Sequence, residues 1–315
     1  MGTFLYSGLL VAALTQGPAE ALDSISALRL RLARDSCDAP AWFDLGRSYV
    51  QRSASHHAHI GAPDTAGARA ALDSAERAFA RAAALAPTAP LGDSARTFRV
   101  FVWGEKAFLA WELGDVEAAA EAWRTLPEDL RLLPVLQELG ENVLRACPSE
   151  GVLLTRGDVD TYAAWYMRFA RGLRTDLLIL PYAVWLADSV FRHRLARELK
   201  LPQPPRQGDD ESTSLRGFAR QRPVCASMAF ARPPESRGSI SWTARPLVWV
   251  AGAGVGEDRV PPQDFVFAAL RLALDAREAW AAPVLELYRR AAAATPALCQ
   301  PLGVFGLREE TGCRR

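Results

Sequence analysis

The sequence lacks the short motifs that most directly announce catalysis. It has no G-x-S-x-G elbow, no H-E-x-x-H pair and no G-x-x-x-x-G-K-S/T phosphate loop. The hydrolase, zinc and phosphate chemistries that need those spacings therefore have no foothold. Histidine is scarce, with four residues (His56, His57, His59 and His193), so imidazole acid–base chemistry has few carriers. No run reaches the roughly 18 apolar residues of a membrane span. Neither charge sign dominates: the formal net charge is +1, without the basic excess of a nucleic-acid surface. The five cysteines (Cys37, Cys147, Cys225, Cys299, Cys313) include no C-x-x-C and no pair at metal-ligand spacing. From these absences we expect no metal, no cofactor and no nucleic-acid partner.

The longest apolar run is short and N-terminal, residues 4–14. Ala19, Glu20 and Ala21 come after it as an A-x-A pattern that fits a signal-peptidase site, although no Lys or Arg precedes the run. Residues 1–21 are thus a candidate export signal; the other reading is an apolar first helix packed on the neighbouring helices, and an uncleaved anchor is the third. The corresponding location is periplasmic or exported, with the cytoplasm as alternative. An odd number of cysteines leaves at least one thiol unpaired. They read mostly as small buried hydrophobes, with one disulfide allowed on export and no pair specified.

What the sequence does have is apolar mass and helix formers. Half of its 315 residues are hydrophobic, enough for a sizeable core, and its abundant alanine favours helix. Trp42, Leu45, Gly46 and Tyr49 have the spacing W-x2-L-G-x2-Y. Ala75, Phe79, Ala82 and Pro87 have the spacing A-x3-F-x2-A-x4-P. In such a pair of helices the small residues permit close approach, the aromatics fill the space between neighbours, and the proline ends the second helix. This stretch resembles the two helices of a tetratricopeptide repeat. A second repeat comes at Trp103, Ala107, Gly114, Ala119 and Trp123, and residues 21–34 look like the second helix of an incomplete preceding unit. The first repeat departs from the pattern in length: Tyr49 and Ala75 lie 26 positions apart, about 17 more than a 34-residue repeat expects. The extra residues lie in the turn or lengthen the helices, and they include the polar, loop-like segment 53–67. His56, His57 and His59 fall there; with no completing carboxylate, a solvated loop is expected rather than a metal site. Residues 22–147 are read as a helical-repeat domain. The resemblance implies a surface for a partner protein and no catalysis.

After Pro148 the pattern changes. Residues 151–155 read as a short buried strand, 162–173 as an amphipathic helix and 176–182 as a second strand, a βαβ unit with a parallel pair. A helix is expected over 183–199, a linker or long loop over 201–222, and further strands over 224–230, 239–243 and 247–251. Gly252, Gly254 and Gly256 come after a strand without opening a helix, so they read as a flexible loop. The second half is expected to be a small α/β, Rossmann-like domain over 148–260. Helices close it over 261–295, with Asp264 capping a helix through 265–282, and 296–315 form an irregular tail. The fold class is therefore mixed, all-α hairpins and then α/β.

Gly157, Asp158, Val159, Asp160, Thr161, Tyr162, Ala163, Ala164, Trp165 and Tyr166, then Gly172, Leu173, Arg174, Thr175 and Asp176, carry a second resemblance. They are similar to the soluble C-terminal region of bacterial protein O-mannosyltransferase-like membrane glycosyltransferases, which has G-D-N-D-T-aromatic-x-x-W-Y and then G-x-R-x-D. Arg222 and Pro223 before a strand also fit. The likeness covers residues 148–250 and departs at Val159, where that family has Asn. The family's catalytic membrane part has no counterpart in this sequence, so the resemblance implies an accessory domain and not the transferase activity.

Five residues, Asp158, Asp160, Thr161, Arg174 and Asp176, are candidates for ligand or ion binding. A D-x-D pair at a strand end can hold a divalent cation or sugar hydroxyls. The competing reading gives Asp160 or Thr161 to helix capping, Asp158 to turn amides, and Arg174 and Asp176 to ion pairs, with each other or across the crevice to Asp158 or Asp160. Trp165, Tyr166 and Trp185 read as core. The function expected overall is a non-enzymatic scaffold that binds a protein partner on its repeat surface, in a membrane-associated envelope assembly. The alternative is a glycan- or nucleotide-sugar-related enzyme or sensor using the 157–161 motif.

Overall fold

A computed structural model describes residues 18–57, 64–112, 118, 121–123, 125–127, 130–187, 193, 196–197, 211–234, 240–252 and 260–313. The candidate signal at 4–14, His59, Gly114, Ala119, Gly254, Gly256 and the first part of the expected linker lie outside them. The chain divides into two units between Leu133 and Pro134.

The first unit is helical because its segments start and stop on strong local signals. Helix α1 (Pro18–Arg34) opens on a proline, whose missing N–H costs nothing there, and ends with Arg31 and Arg34 in its last turn. Asp38 accepts a hydrogen bond from the Ala41 amide at 3.0 Å and so caps α2 (Ala39–His57). Asp64 does the same for α3 (Thr65–Leu85) through the Gly67 amide at 2.8 Å. Helix α4 (Pro90–Glu112) comes after Pro87. The extra residues of this region lengthen both helices. Of 53–67, expected as loop, the described residues other than Asp64 are helical: 53–57 end α2 and 65–67 begin α3. The link brings Asp64 back to the end of α2, where its carboxylate lies 2.9 Å from His56 Nδ1. Arg52 Nε donates to His56 Nε2 at 3.4 Å, so both ring nitrogens have protein partners. Among the described residues no group of three or more His, Cys, Asp or Glu could hold a metal.

Alanines and aromatics build the core of this unit. Ala68, Ala71, Ala75, Ala78 and Ala82 form one buried stripe of α3. Phe79 packs there with Phe43 and Phe98, ring centroids 5.3 to 5.4 Å apart. Gly46 of α2 lies directly against Phe79; a Cβ at 46 would fall 2.6 Å from its ring. Arg99 and Lys106 of α4 pair with Glu76 and Asp73 of α3. Leu45, Tyr49 and Trp123 are buried, and Trp42 and Trp103 are half-buried. Gly46→Ala is expected to destabilise the unit. Phe79 is fully enclosed, so overpacking of about 1–3 kcal/mol exceeds the gain of up to about 1 kcal/mol in helix propensity. A thermal melt checks this, and a variant more stable than the parent would refute the close contact.

The second unit begins with α5 (Pro134–Ala146), whereas the sequence pattern places the boundary between 147 and 148. This helix carries buried Val135, Leu136, Leu139 and Val143 and packs on α6 (Asp158–Trp165). The two come close enough that a Cβ on Gly140 would meet the Ala163 carbonyl oxygen at 2.3 Å. A wide helical turn, Tyr166–Ala170, continues α6. The strands are β1 (Val152–Thr155), β2 (Leu178–Pro181), β3 (Val224–Ser227), β4 (Thr243–Arg245) and β5 (Val248–Ala251), in the order β2-β1-β3-β5-β4. β1 pairs parallel with β2 and β3, whereas β5 pairs antiparallel with β3 and β4. The apolar β1 is buried throughout, as a strand covered on both faces must be. Helix α7 (Tyr182–Ala187) extends from β2, and α8 (Glu211–Gln221) stands where the sequence suggested only a linker. The protein is thus mostly helical with a small mixed five-stranded sheet. No helix among the described residues is long and apolar enough to cross a membrane.

Three expectations for the second unit are corrected. Four cysteines form two disulfides, Cys147–Cys225 and Cys299–Cys313, where at most one bond was expected; exposed Cys37 is the odd thiol. Residues 265–282 are not one helix capped by Asp264. Asp264 ends a tight turn (Pro262–Asp264), α9 spans Ala268–Asp275, and α10 (Ala281–Ala294) starts after a break in which Arg277 adopts φ 57°. The tail is not irregular: Pro296–Leu298 and α11 (Cys299–Val304) lead into turns closed by the second disulfide.

The cap on α9 comes from another helix. Glu138 of α5 accepts from the amides of Ala269 at 2.7 Å and Leu270 at 3.0 Å. Nearby, Asn142 donates to Val266 O at 2.6 Å and to Tyr288 Oη at 3.1 Å. Burial pushes the Glu138 carboxyl up to about 7, against those amide bonds, and Glu141 adds to the rise. A carboxyl whose pKa is raised on folding contributes stability that is complete below its ordinary value of 4.5 and is lost as pH rises through about 7. Stability should therefore fall between pH 4.5 and about 7.5, by at most about 3 kcal/mol from this group. Glu138→Gln should flatten that slope in urea titrations at stepped pH; an unchanged slope would assign it to other groups.

Candidate functional site

The 157–161 motif sits where β1 hands over to α6. Gly157 is the extended residue before the helix, and Asp160 occupies the third helical position. From there its side chain turns back: Oδ1 accepts from the Gly157 amide at 2.9 Å and Oδ2 from the Arg156 amide at 3.0 Å. Ser227, at the end of β3, donates its hydroxyl to the same Oδ2 in a short bond. Thr161 and Thr155 share a hydroxyl–hydroxyl bond of 2.8 Å, and Thr155 Oγ1 reaches Leu180 O on β2 at 3.5 Å. Asp160, Thr161, Thr155 and Ser227 are all buried. This network ties together the carboxyl ends of all three parallel strands. Burial raises the Asp160 carboxyl above its usual range, opposed by the bonds from Ser227, Arg156 and Gly157.

In open α/β sheets the crevice beyond the carboxyl ends of parallel strands, where the strand order reverses, is the usual ligand site. Here β1 and β3 flank that position, and the Asp160 carboxylate is bonded at the ends of both. Asp158 opens α6 with a half-buried side chain. Sequence reasoning missed Ser227 and Thr155. The signal for them was a hydroxyl residue ending each of two apolar strands, Val-Leu-Leu-Thr and Val-Cys-Ala-Ser.

Arg174 and Asp176 lie at the opposite end of the strands, before β2. Arg174, at φ 49°, donates to both Asp176 oxygens at 2.9 Å. Its remaining donors reach Leu144 O at 2.8 Å, Cys147 O at 2.9 Å and Pro148 O at 3.1 Å. The guanidinium thereby satisfies carbonyls at the C-terminal end of α5. Asp176 also accepts from the Glu150 amide at 2.9 Å. The bond to Arg174 is the main reason its carboxyl is held at about 2. The five candidates thus form two separate clusters, and neither Arg174 nor Asp176 reaches across to Asp160. Trp165, Tyr166 and Trp185 are buried, with Trp185 against Phe218 at 4.9 Å.

Open space of useful size lies on the first unit. A groove of about 460 Å³ between α1 and α2 is lined by Ser24, Leu28, Arg31, Asp44, Arg47 and Gln51, among others. Another of about 410 Å³ runs between α1, α2 and α3, with Leu32, Trp42, Leu45 and Tyr49 between Arg29 and Arg77.

No curated protein and no solved structure matches the chain. Over residues 136–189, a stretch that runs from α5 to just past α7 and holds all five candidate residues, the chain is similar to the family described as TMEM260-associated domain 2.

Proposed function

We propose that the protein is a non-enzymatic scaffold whose tetratricopeptide-like first unit binds a partner protein, in an exported, envelope-associated assembly, and whose Rossmann-like second unit is a docking or structural appendage. The observation that carries this reading is a contrast. The groove between α1, α2 and α3 is open and floored by Leu32, Leu45 and Tyr49, while the buried carboxylate of the second unit is already fully bonded to its own chain. The repeat register supports it too, since Gly46 and Phe79 meet across α2 and α3 at the small and aromatic positions of the pattern. Two disulfides favour an oxidising compartment. Thiol titration of chain isolated from its native compartment tests that part: export leaves Cys37 alone reactive, whereas five reactive thiols after unfolding would place the chain in a reducing one.

Photo-cross-linkers at Gln51 and Ser74, on the rims of the two grooves, test the scaffold. A defined partner should be captured there and not from a probe at Arg289 on the second unit. A chain that cross-links nothing at either rim overturns it. The alternative, a glycan- or nucleotide-sugar-related enzyme or sensor, rests on the 157–161 motif and its likeness to mannosyltransferase-like proteins. It requires Asp160 to leave its bonds to Arg156, Gly157 and Ser227.

A further inference from the structure

We propose that the Cys299–Cys313 disulfide is a redox-sensitive fastening: a dithiol reductant opens it in the folded chain and so releases the terminal turns, residues 305–313, from α9 and α10. Cys147–Cys225 stays closed under the same conditions and keeps the sheet and α5 joined.

The two bridges differ in access. Cys147 and Cys225 are 2 % and 0 % exposed, so a thiol reaches them only when the unit unfolds. Cys299 is half-buried at the start of α11, and Cys313 is 9 % exposed in the turns after it. Thiol–disulfide exchange needs direct approach of a thiolate to one sulfur, and accessible bridges are therefore the labile ones. A thiolate of the reductant attacks Cys299 Sγ. A new S–S bond forms, the Cys299–Cys313 bond breaks, and its electron pair leaves on Cys313 Sγ. The Thr311 hydroxyl lies 3.5 Å from that sulfur and faces the charge as it develops. The second thiolate of the reductant then displaces Cys299. The reductant departs as a disulfide, and the chain gains two electrons and two protons as two thiols.

The other ties on 305–313 are few and mostly at the surface. The Glu310 carboxylate pairs with Arg271 of α9 at 2.7 Å, and the Glu310 carbonyl accepts from Arg289 Nε of α10 at 2.5 Å. The Arg271 and Glu310 side chains are 32 % and 34 % exposed, and ion pairs at such exposure contribute little. Phe305 meets the Phe267 ring at 6.1 Å, and Leu307 is enclosed. The bonds from the Thr311 amide to Leu307 O and from the Cys313 amide to Arg308 O stay within the segment. Opening the bridge leaves these ties to hold the turns alone, and the segment regains the freedom that a closed span of 14 residues denies it.

The test incubates the whole native chain with dithiothreitol for stepped times, traps free thiols with iodoacetamide and locates them by mass spectrometry. Cys299 and Cys313 should be labelled about tenfold or more faster than Cys147 and Cys225. Urea below the unfolding transition should leave their rate unchanged while it speeds labelling of the buried pair. Equal rates, or a Cys299–Cys313 rate that climbs with urea, would mean that both bridges open by unfolding and would overturn the proposal. Hydrogen exchange of the chain reduced at that bridge alone reads the release. Residues 305–313 and α9 should exchange faster than in the oxidised chain, with β1 and β3 unchanged; unchanged exchange in 305–313 overturns the fastening. Cys299→Ala/Cys313→Ala, measured without reductant, should show the same pattern and so excludes an effect of the alkyl groups. Faster exchange that spreads to β1 and β3 in either sample would make the bridge a staple of the whole unit and overturn the proposal too.

Discussion

Cys147→Ala/Cys225→Ala is expected to lower the stability of the second unit by about 4.5 kcal/mol. The bond closes a span of 78 residues, and in the chain-entropy account the constraint on the unfolded chain grows with the logarithm of that span. Cys299–Cys313 spans only 14 and should be worth about 3 kcal/mol on the same scale. Both sulfurs of the longer bridge are buried, Cys147 at the end of α5 and Cys225 in the middle of β3. Alanine is the appropriate replacement, since serine would bury two hydroxyls. At roughly 2–4 °C per kcal/mol for a unit of this size, the longer bridge corresponds to a fall of about 10–15 °C in Tm. Calorimetry of the two double variants separates them. If the variant lacking the 14-residue bridge melts lower than the one lacking the 78-residue bridge, loop entropy is not what these bonds contribute.

The second large effect concerns Asp160. Asp160→Ala removes the acceptor shared by the Arg156 amide, the Gly157 amide and the Ser227 hydroxyl. The buried Ser227 hydroxyl then loses its acceptor and the two part-buried amides lose theirs, at about 1–3 kcal/mol apiece where water does not replace it. We expect a loss of about 3–5 kcal/mol by urea denaturation. Asp160→Asn keeps the shape and one acceptor oxygen, so it should cost less, about 1–3 kcal/mol. Ser227→Ala removes one donor and leaves the carboxylate its two amides, so it should be the mildest. That ranking distinguishes a structural carboxylate from a catalytic or ligating one. If Asp160→Ala kept full stability, the residue would be free for chemistry and the alternative function would regain its ground.

These two sites also show what was legible in the sequence. Local signals read well. The run Val-Leu-Leu-Thr marked a buried strand, Trp42 through Tyr49 marked α2, and Asp160 three residues after Gly157 marked a helix start. Each of these depends on residues within one helical turn or one strand. What was missed depends on partners far along the chain. Cys147 finds Cys225 at a separation of 78, and Asp160 finds Ser227 at 67. Glu138 reaches Ala269 at 131, and nothing near Ala268 announces that its helix is capped from α5. The segment 53–67 failed for another reason: its small and polar residues look like a loop, yet 53–57 continue α2 and Ser53 is buried there. Arg174 and Asp176 were singled out together and do pair, but the role of Arg174 at the end of α5 needed the fold.

The network at the end of β1 has a consequence for any small molecule that meets this protein. The Asp160 carboxylate is tethered to the same helix whose preceding amides it occupies, so its effective concentration at those amides far exceeds that of any free anion. A diffusing phosphate or sugar acid that reaches these amides has to compete with a carboxylate held beside them by the chain itself.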